Sequence, residues 1–325
     1  MTAARRRPIA AICLALAGCE SPQSALSPAG RDAEQVATLF WVMLAGAAVV
    51  WLAVMGAALY AVVRGGREHA ERSARLFIVG GGIVFPTVVL TVLLVFGLRL
   101  LPGMLDLGPE PPVAVVSGEQ WWWRVTYQHD GGELAAANEL RLPLGRRSAV
   151  AVTSPDVIHA LWVPALGGKV DAIPGRQNHL AFEPTREGTY RGLCAEYCGL
   201  SHALMNLDVV VMRPDAYAAW LAAEAAPAKP PADDITRRGA DAFAAHGCGA
   251  CHAIRGTAAN GTLGPDLTHV GGRVRIGGVL PNTVDGFRDW LTHPEHHKPG
   301  VHMPSFHMLP PAELDALARY LDELH

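Results

Sequence analysis

Two uninterrupted apolar runs limit what this chain can fold into more than any other feature. Val36 to Val63 holds 28 residues without a charge, and Leu76 to Leu101 holds 26 whose only charge is Arg99. About 20 apolar residues cross the hydrocarbon of a bilayer as a helix, and a segment in lipid must satisfy its own backbone, which a helix does. Runs of this length argue against two buried helices of a soluble protein. The expectation is a transmembrane helical hairpin over residues 36–101. A hydrophobic content of 50% with only 18% charged residues, in a chain of 325, agrees with a membrane portion and leaves length for about two further domains. Arg64, Arg67, Arg72 and Arg75 lie between the runs. The positive-inside rule puts that short loop in the cytoplasm and everything after Leu101 outside. Gly80-Gly81-Gly82 predicts a close helix contact, and Pro86 predicts a kink in the second span.

The beginning of the chain agrees with that orientation. Arg5 to Arg7 form a basic segment, and Ile9 to Ala17 a run too short to span a bilayer. Residues 1–19 therefore read as a lipoprotein-type signal peptide. Leu16-Ala17-Gly18-Cys19 resembles the lipobox of bacterial lipoproteins, in which the cysteine is lipidated. The localisation expected is two-pass in the bacterial inner membrane, with the later domains on the periplasmic side. A net charge of −3 gives no reason to expect a nucleic-acid partner.

After the proline-rich exit at Pro109–Pro112 the hydrophobic period changes to two. Trp121, Trp123, Val125 and Tyr127 alternate with Trp122, Arg124, Thr126 and Gln128. Gly131-Gly132 signals a turn, Leu140, Leu142, Val150 and Val152 mark further strands, and Asn206 to Met212 reads as a closing strand. Residues 108–216 are expected to form an antiparallel sandwich or barrel. His159 falls on a loop between strands, and the stretch L-C-A-E-Y-C-G-L-S-H-A-L-M, Leu193 to Met205, lies just before the last strand. Two thiols four apart (Cys194, Cys198), two imidazoles (His159, His202) and a thioether (Met205) form a soft ligand set that suits copper. One thiolate is surplus for a mononuclear blue-copper site, and two on one loop could bridge two copper ions. Cys2His2 is equally a structural zinc set, in which case Met205 is plain core.

The Ala/Pro run within residues 221–234 reads as a semi-rigid linker. Beyond it, residues 235–325 contain Cys248-Gly249-Ala250-Cys251-His252, the C-x-x-C-H attachment site of a c-type haem. The sixth haem ligand should be a Met or His far downstream, a group that includes Met303, Met308, His302 and His307. Leu314, Leu317, Leu321 and Leu324 fall on one helical stripe after Pro310-Pro311. His293, His296, His297 and His325 read as solvated surface. Of the six cysteines, Cys13 and Cys19 belong to the targeting region and the other four form two close pairs, so none is left for a structural disulfide.

Two segments, S-P-D-V-I-H-A-L-W-V-P-A-L-G-G-K-V-D-A-I-P-G-R and C-A-E-Y-C-G-L-S-H-A-L-M, resemble subunit II of haem–copper cytochrome c oxidases. That resemblance runs from Val36 to about Trp220. It implies a two-helix hairpin and an all-β cupredoxin-like domain with a binuclear CuA centre. Cys194 and Cys198 would bridge the coppers, His159 and His202 would bind one each, and Met205 and the Glu196 carbonyl would be weak outer ligands. The Glu196 side chain would face a magnesium site shared with subunit I, with Asp171 near it. G-E-Q-W-W-W resembles the family's tryptophan segment, which makes Trp121 the exposed residue where electrons enter. K-P-G-V-H-M-P-S-F and G-P-D-L-T-H resemble class I cytochromes c, which implies an all-α domain with Met303 on the iron and the Pro265 carbonyl holding His252. The whole resembles the caa3-type fusion of the two modules. The function implied is electron transfer from cytochrome c or another periplasmic donor, through haem c and CuA, to subunit I, which reduces O2 with coupled proton translocation; subunit III is a further implied partner. A nitric oxide reductase subunit and a copper- or zinc-binding lipoprotein are the alternatives. In one place the chain departs from the family: many members carry a Glu near the start of the second span, whereas no carboxylate occurs here between Arg72 and Asp106. Glu68 and Glu71 are the substitutes at hand.

Overall fold

A computed structural model describes residues 21–64, 71–129 and 132–325. The signal peptide, with Cys13 and Cys19, lies outside the described residues, as does Glu68. Residues 34–106 form one compact unit. The earlier residues together with residues 107–325 form another.

The first apolar helix, Arg31–Val63, starts five residues before the uncharged run, and the second covers Glu71–Leu105. Both carry long exposed apolar surfaces, including Trp51, Leu59, Phe77 and Leu90. Contiguous apolar surface of this extent marks a contact with lipid or protein. The expected close contact at Gly80–Gly82 is absent, since a Cβ on any of the three would meet nothing within 4 Å. These glycines lie inside a π-helical stretch, Phe77–Val84, and Phe85 N–H bonds back to Gly80 O. The widened turn ends two residues before Pro86, which has no N–H to offer the preceding turn. It takes the place of the simple kink expected there.

The β domain is a sandwich of two five-stranded sheets. The strands are β1 (Ala114–Glu119), β2 (Trp122–His129), β3 (Gly132–Ala137), β4 (Glu139–Pro143), β5 (Ser148–Thr153), β6 (His159–Trp162), β7 (Lys169–Ala172), β8 (Asn178–Phe182), β9 (Gly188–Cys194) and β10 (Asn206–Met212). One sheet has the order β3-β2-β1-β5-β8 and the other β4-β10-β9-β6-β7. The expectation of a wholly antiparallel fold needs correction, because β1 pairs with β5 and β4 with β10 in parallel. Such pairs join strands distant in sequence, and local periodicity cannot report them. Alternation on β2 buries Trp123, Val125 and Tyr127 and turns Trp122 and Arg124 outward, with the Arg124 guanidinium 4.5 Å over the Trp122 ring.

The predicted linker is partly helical. Pro214–Glu224 forms a helix with Pro at its start and Asp215 in its first turn, both favourable there. Trp220 packs edge-on to Tyr127 at 5.1 Å. Beyond the helix the linker is tied to the following domain at Ala228, whose N–H donates to Arg255 O at 2.9 Å. The following domain is helical. Asp234–Ala245 is capped by Asp233 and Thr236 in a reciprocal capping box, and packs on Pro311–Glu323, which buries Leu314, Leu317 and Leu321 as the leucine stripe predicts. Gly239 lets the two helices touch, because a Cβ there would lie 2.1 Å from Ala316 O.

Candidate functional site

The first site forms where strands end. β9 delivers Cys194, β6 begins with His159, and the turn after β9 carries Cys198 and a short 3-10 segment, His202–Leu204. His159 thus opens a strand instead of lying on a loop as expected. β6 pairs with β9, Leu161 opposite Cys194, so the sheet register fixes the approach of His159 to the thiols. Cys194 Sγ and Cys198 Sγ lie 3.7 Å apart. That is well beyond a disulfide, at about 2.05 Å. It matches two thiolates on one metal, which at about 2.3 Å each and a tetrahedral angle stand about 3.7 Å apart. His159 Nδ1 is 3.7 Å from Cys194 Sγ, and His202 Nδ1 is 3.6 Å from Cys198 Sγ. Met205 Sδ is 3.8 Å from Cys198 Sγ, and the Glu196 carbonyl is 3.1 Å from Cys194 Sγ. The ligand types therefore divide, one imidazole at each sulfur. His159 and the two sulfurs converge within 4.8 Å of one another, while His202 stands outside that trio.

The electrostatics call for a cation. Burial pushes the Cys194 thiol up, but the His159 ring and the backbone at Ala160 and Glu196 together outweigh it and hold the thiol below its usual value. Burial and then the neighbouring Cys194 push Cys198 the other way. Two thiolates this close cannot both stay ionised in a buried site without positive charge between them. Asp156 holds the outer face of His159, with Oδ1 2.9 Å from Nε2, which leaves Nδ1 facing the sulfurs. The same carboxylate accepts from Gln120 N–H at 2.7 Å and Val157 N–H at 2.6 Å. Sequence reasoning passed over Asp156, although it sits three residues before a ligand-type histidine, where a metal-bound imidazole is commonly supported. Glu196 and Asp171 are both exposed.

Trp121 does not stand free on the surface as expected. It is only 7% exposed, its Nε1 donates to Cys198 O at 2.9 Å, and its ring faces Gly300. The helical domain covers it. The outward tryptophan that the strand period requires is Trp122.

The second site is a cavity of about 410 Å³ in the helical domain, lined by Cys248, Cys251, His252 and Met303 together with apolar side chains such as Phe243 and Leu317. His252 Nδ1 donates to Pro265 O at 2.8 Å, so Nε2 is the ring nitrogen left for a ligand. Burial lowers the affinity of that ring for a proton, which keeps it a neutral donor. A Cβ at Gly264 would lie 2.5 Å from His252 Cε1, so the ring is held by contact as well as by its hydrogen bond. Met303 lines the cavity, whereas Met308 is 66% exposed. Two thiols, a fixed imidazole and a thioether around an apolar cavity suit a covalently attached haem.

Two family models match. The periplasmic domain of cytochrome c oxidase subunit II covers residues 126–212, and cytochrome c covers residues 236–325. The first implies the binuclear copper centre and the second a haem. Cytochrome c oxidase subunit 2 of Alkalihalophilus pseudofirmus is 30% identical over 99% of this chain and 97% of its own length. The same subunit of Bacillus subtilis is 27% identical over 97% and 96%. The crystal structure of the periplasmic domain of subunit II of cytochrome oxidase from Bradyrhizobium japonicum, 31% identical, covers 37% of this chain and 96% of that one with a TM-score of 0.35. The chain belongs to the cytochrome c oxidase subunit 2 family, as a membrane-anchored component of a haem–copper oxidoreductase that carries a copper domain and a haem c domain in one polypeptide.

Proposed function

We propose that His159, Cys194, Cys198, His202, Met205 and the Glu196 carbonyl hold two copper ions, and that Cys248, Cys251, His252 and Met303 hold haem c. In this reading electrons from cytochrome c or another periplasmic donor reach subunit I through this subunit, and subunit I reduces oxygen. Both groups, when bound, take up and release one electron at a time. The residues do the rest. Cys194 and Cys198 supply the negative charge, and Asp156 fixes which nitrogen of His159 faces them. The β6–β9 register holds the ligands in place, so that little needs to move when charge changes. The Pro265 carbonyl orients His252 in the same manner, and Met303 would be the other protein ligand to the haem, a pairing that would raise its potential. Trp121 belongs to the electron path as an internal contact between the haem cavity and the carbonyl of Cys198.

Glu196, exposed beside the copper ligands, is the side chain offered to a magnesium ion shared with subunit I, with Asp171 as its companion. The inner membrane, subunit III and lipidation of Cys19 follow from the sequence and from the kind of subunit this is. Glu71, the first residue of the second apolar helix, is the remaining carboxylate among the described residues to substitute for the family's acid.

The observation that carries the reading is the pair of thiols 3.7 Å apart with one imidazole Nδ1 at each. Electron paramagnetic resonance of the full-length, copper-loaded, haem-attached protein tests it. Hyperfine structure from one electron shared equally by two coppers is expected. A single-copper spectrum, or tight binding of one zinc with copper rejected, would sink it.

A further inference from the structure

One short loop joins the haem cavity to the copper loop. Lys298 is 2% exposed. Its Nζ donates to Trp121 O in the β domain at 2.8 Å and to Gly277 O in the helical domain at 2.6 Å. The carbonyl of Pro299 accepts from Ser201 Oγ at 2.7 Å, and Ser201 adjoins His202. Gly300 has φ +78°, and a Cβ there would lie 2.9 Å from the Trp121 ring. The same segment runs on to Met303 in the cavity wall. On the other side, Gln120 Nε2 and Trp121 Nε1 both donate to Cys198 O, at 2.7 and 2.9 Å. An unbroken set of contacts thus connects Cys198, Trp121, Lys298 and the Met303 loop.

A buried amine is costly unless its hydrogens find acceptors, and burial holds this one down to about 7. Its acceptors are two backbone carbonyls, one from each domain, and both belong to rigid segments. A methionine or leucine would fill the same space but would leave the Trp121 and Gly277 carbonyls without this donor and would accept any register. Buried polar groups of this kind serve best to specify one arrangement among several similar ones.

We propose that Lys298 is a positioning residue that locks the Met303 loop onto the copper loop and so fixes the separation of the two electron-carrying sites. The proposal rests on the copper and haem assignments above.

The test uses the full-length, haem-attached, copper-loaded protein and two variants. Lys298→Met keeps the stem and removes the donors, and Lys298→Gln keeps two amide hydrogens on a shorter stem. Three quantities are measured: reduction of the haem by an external donor, electron transfer from haem to copper after rapid haem reduction, and hydrogen–deuterium exchange at Val274. The Val274 N–H donates to Glu139 Oε2 at 2.8 Å across the same interface.

In Lys298→Met the optical and resonance spectra and the donor reaction are expected to be unchanged. Haem-to-copper transfer should slow, and Val274 exchange quicken, by up to about thirtyfold, the ratio implied by losing two hydrogen bonds of ordinary net worth. Lys298→Gln should recover part of both, and it replaces the Met variant if that fails to accumulate. Wild-type transfer with faster exchange would make Lys298 merely structural, and slower transfer with wild-type exchange would mean that it does not act through docking. Either outcome overturns the proposal, as does a variant matching wild type in both. If the wild-type protein lacked two-copper or haem signals, the cofactor reading would fail first, and the Val274 arm alone would still decide whether Lys298 holds the interface.

Discussion

The copper site and the haem site of this chain are built on opposite plans. The copper ligands already converge: sulfurs, imidazoles and thioether lie within 4 Å of a neighbouring ligand, and the β sandwich around them has a complete apolar core of its own that includes Trp123, Tyr127, Phe182 and Leu207. The haem ligands surround a space of about 410 Å³, and the core of the helical domain is the wall of that space. A small ion needs a preorganised ligand set, and the sheet supplies it. A large apolar group can itself be part of the core, and the helical domain is arranged to receive one. The two sites should therefore respond differently to loss of their occupants.

The largest effect is expected at the haem. In a full-length Cys248→Ala/Cys251→Ala variant no haem is attached. Without it the apolar side chains of the cavity wall, such as Phe243 and Leu317, face water and lose the group they pack against. Amides of the terminal helix Pro311–Glu323 should exchange freely, while those of β9 and β10 stay protected. Equal protection in both regions would break the contrast.

The counterpart at the copper site is Cys198→Ser. Copper stoichiometry should fall below two, and the two-copper hyperfine pattern should vanish. The β domain should stay folded, losing no more than the about 1–3 kcal/mol of a poorly satisfied buried hydroxyl. Metal analysis and denaturant unfolding of β-domain fluorescence check the two halves of that statement. Unfolding of the β domain would mean that the metal is structural, as zinc is in small domains.

Met303→Ala sharpens the comparison within the haem site. The haem should remain attached through Cys248 and Cys251, lose its low-spin His/Met spectrum and fall in potential. Met308→Ala, at an exposed position, should change neither. An unaltered spectrum in Met303→Ala would move the axial ligand to Met308 or a histidine.

The same contrast explains what the sequence made legible. Both ligand sets depend on short spacings, C-x3-C-x3-H-x2-M and C-x-x-C-H, which local chemistry dictates. The closing strand Asn206–Met212 and the leucine stripe of the last helix were legible because a strand and a helix each impose a short period. The parallel pairings β1–β5 and β4–β10 were not, because they join segments far apart in sequence. The burial of Trp121 was hidden for the same reason: the lysine against it lies 177 residues downstream, and no window of sequence contains both. Trp121 is internal here because the helical domain docks on it through Lys298 and Gly300. The helix Pro214–Glu224 was hidden by composition, since an alanine-rich stretch ending in prolines looks the same as a linker until Trp220 finds Tyr127.

The smallest expected effect concerns pH and the contact between the two domains. Burial lowers Lys298 from 10.5 to about 7. When the domains separate, the amine regains water and its ordinary affinity for a proton. Between those two values the separated state therefore binds a proton that the docked state does not, and docking grows stronger as pH rises through that window. Below about 7 the amine is charged in both states, and docking carries the full cost of burying the cation. The slope is at most about tenfold per pH unit, the effect of one proton. The protection factor at Val274, corrected for the intrinsic pH dependence of exchange and compared at pH 6, 7, 8 and 9, should change little up to about 7, rise above it in the wild-type protein, and stay flat throughout in Lys298→Met. A parallel rise in both would place the titrating group elsewhere in the interface. A flat wild-type profile would mean that Lys298 keeps its proton throughout, with the two carbonyls compensating its burial.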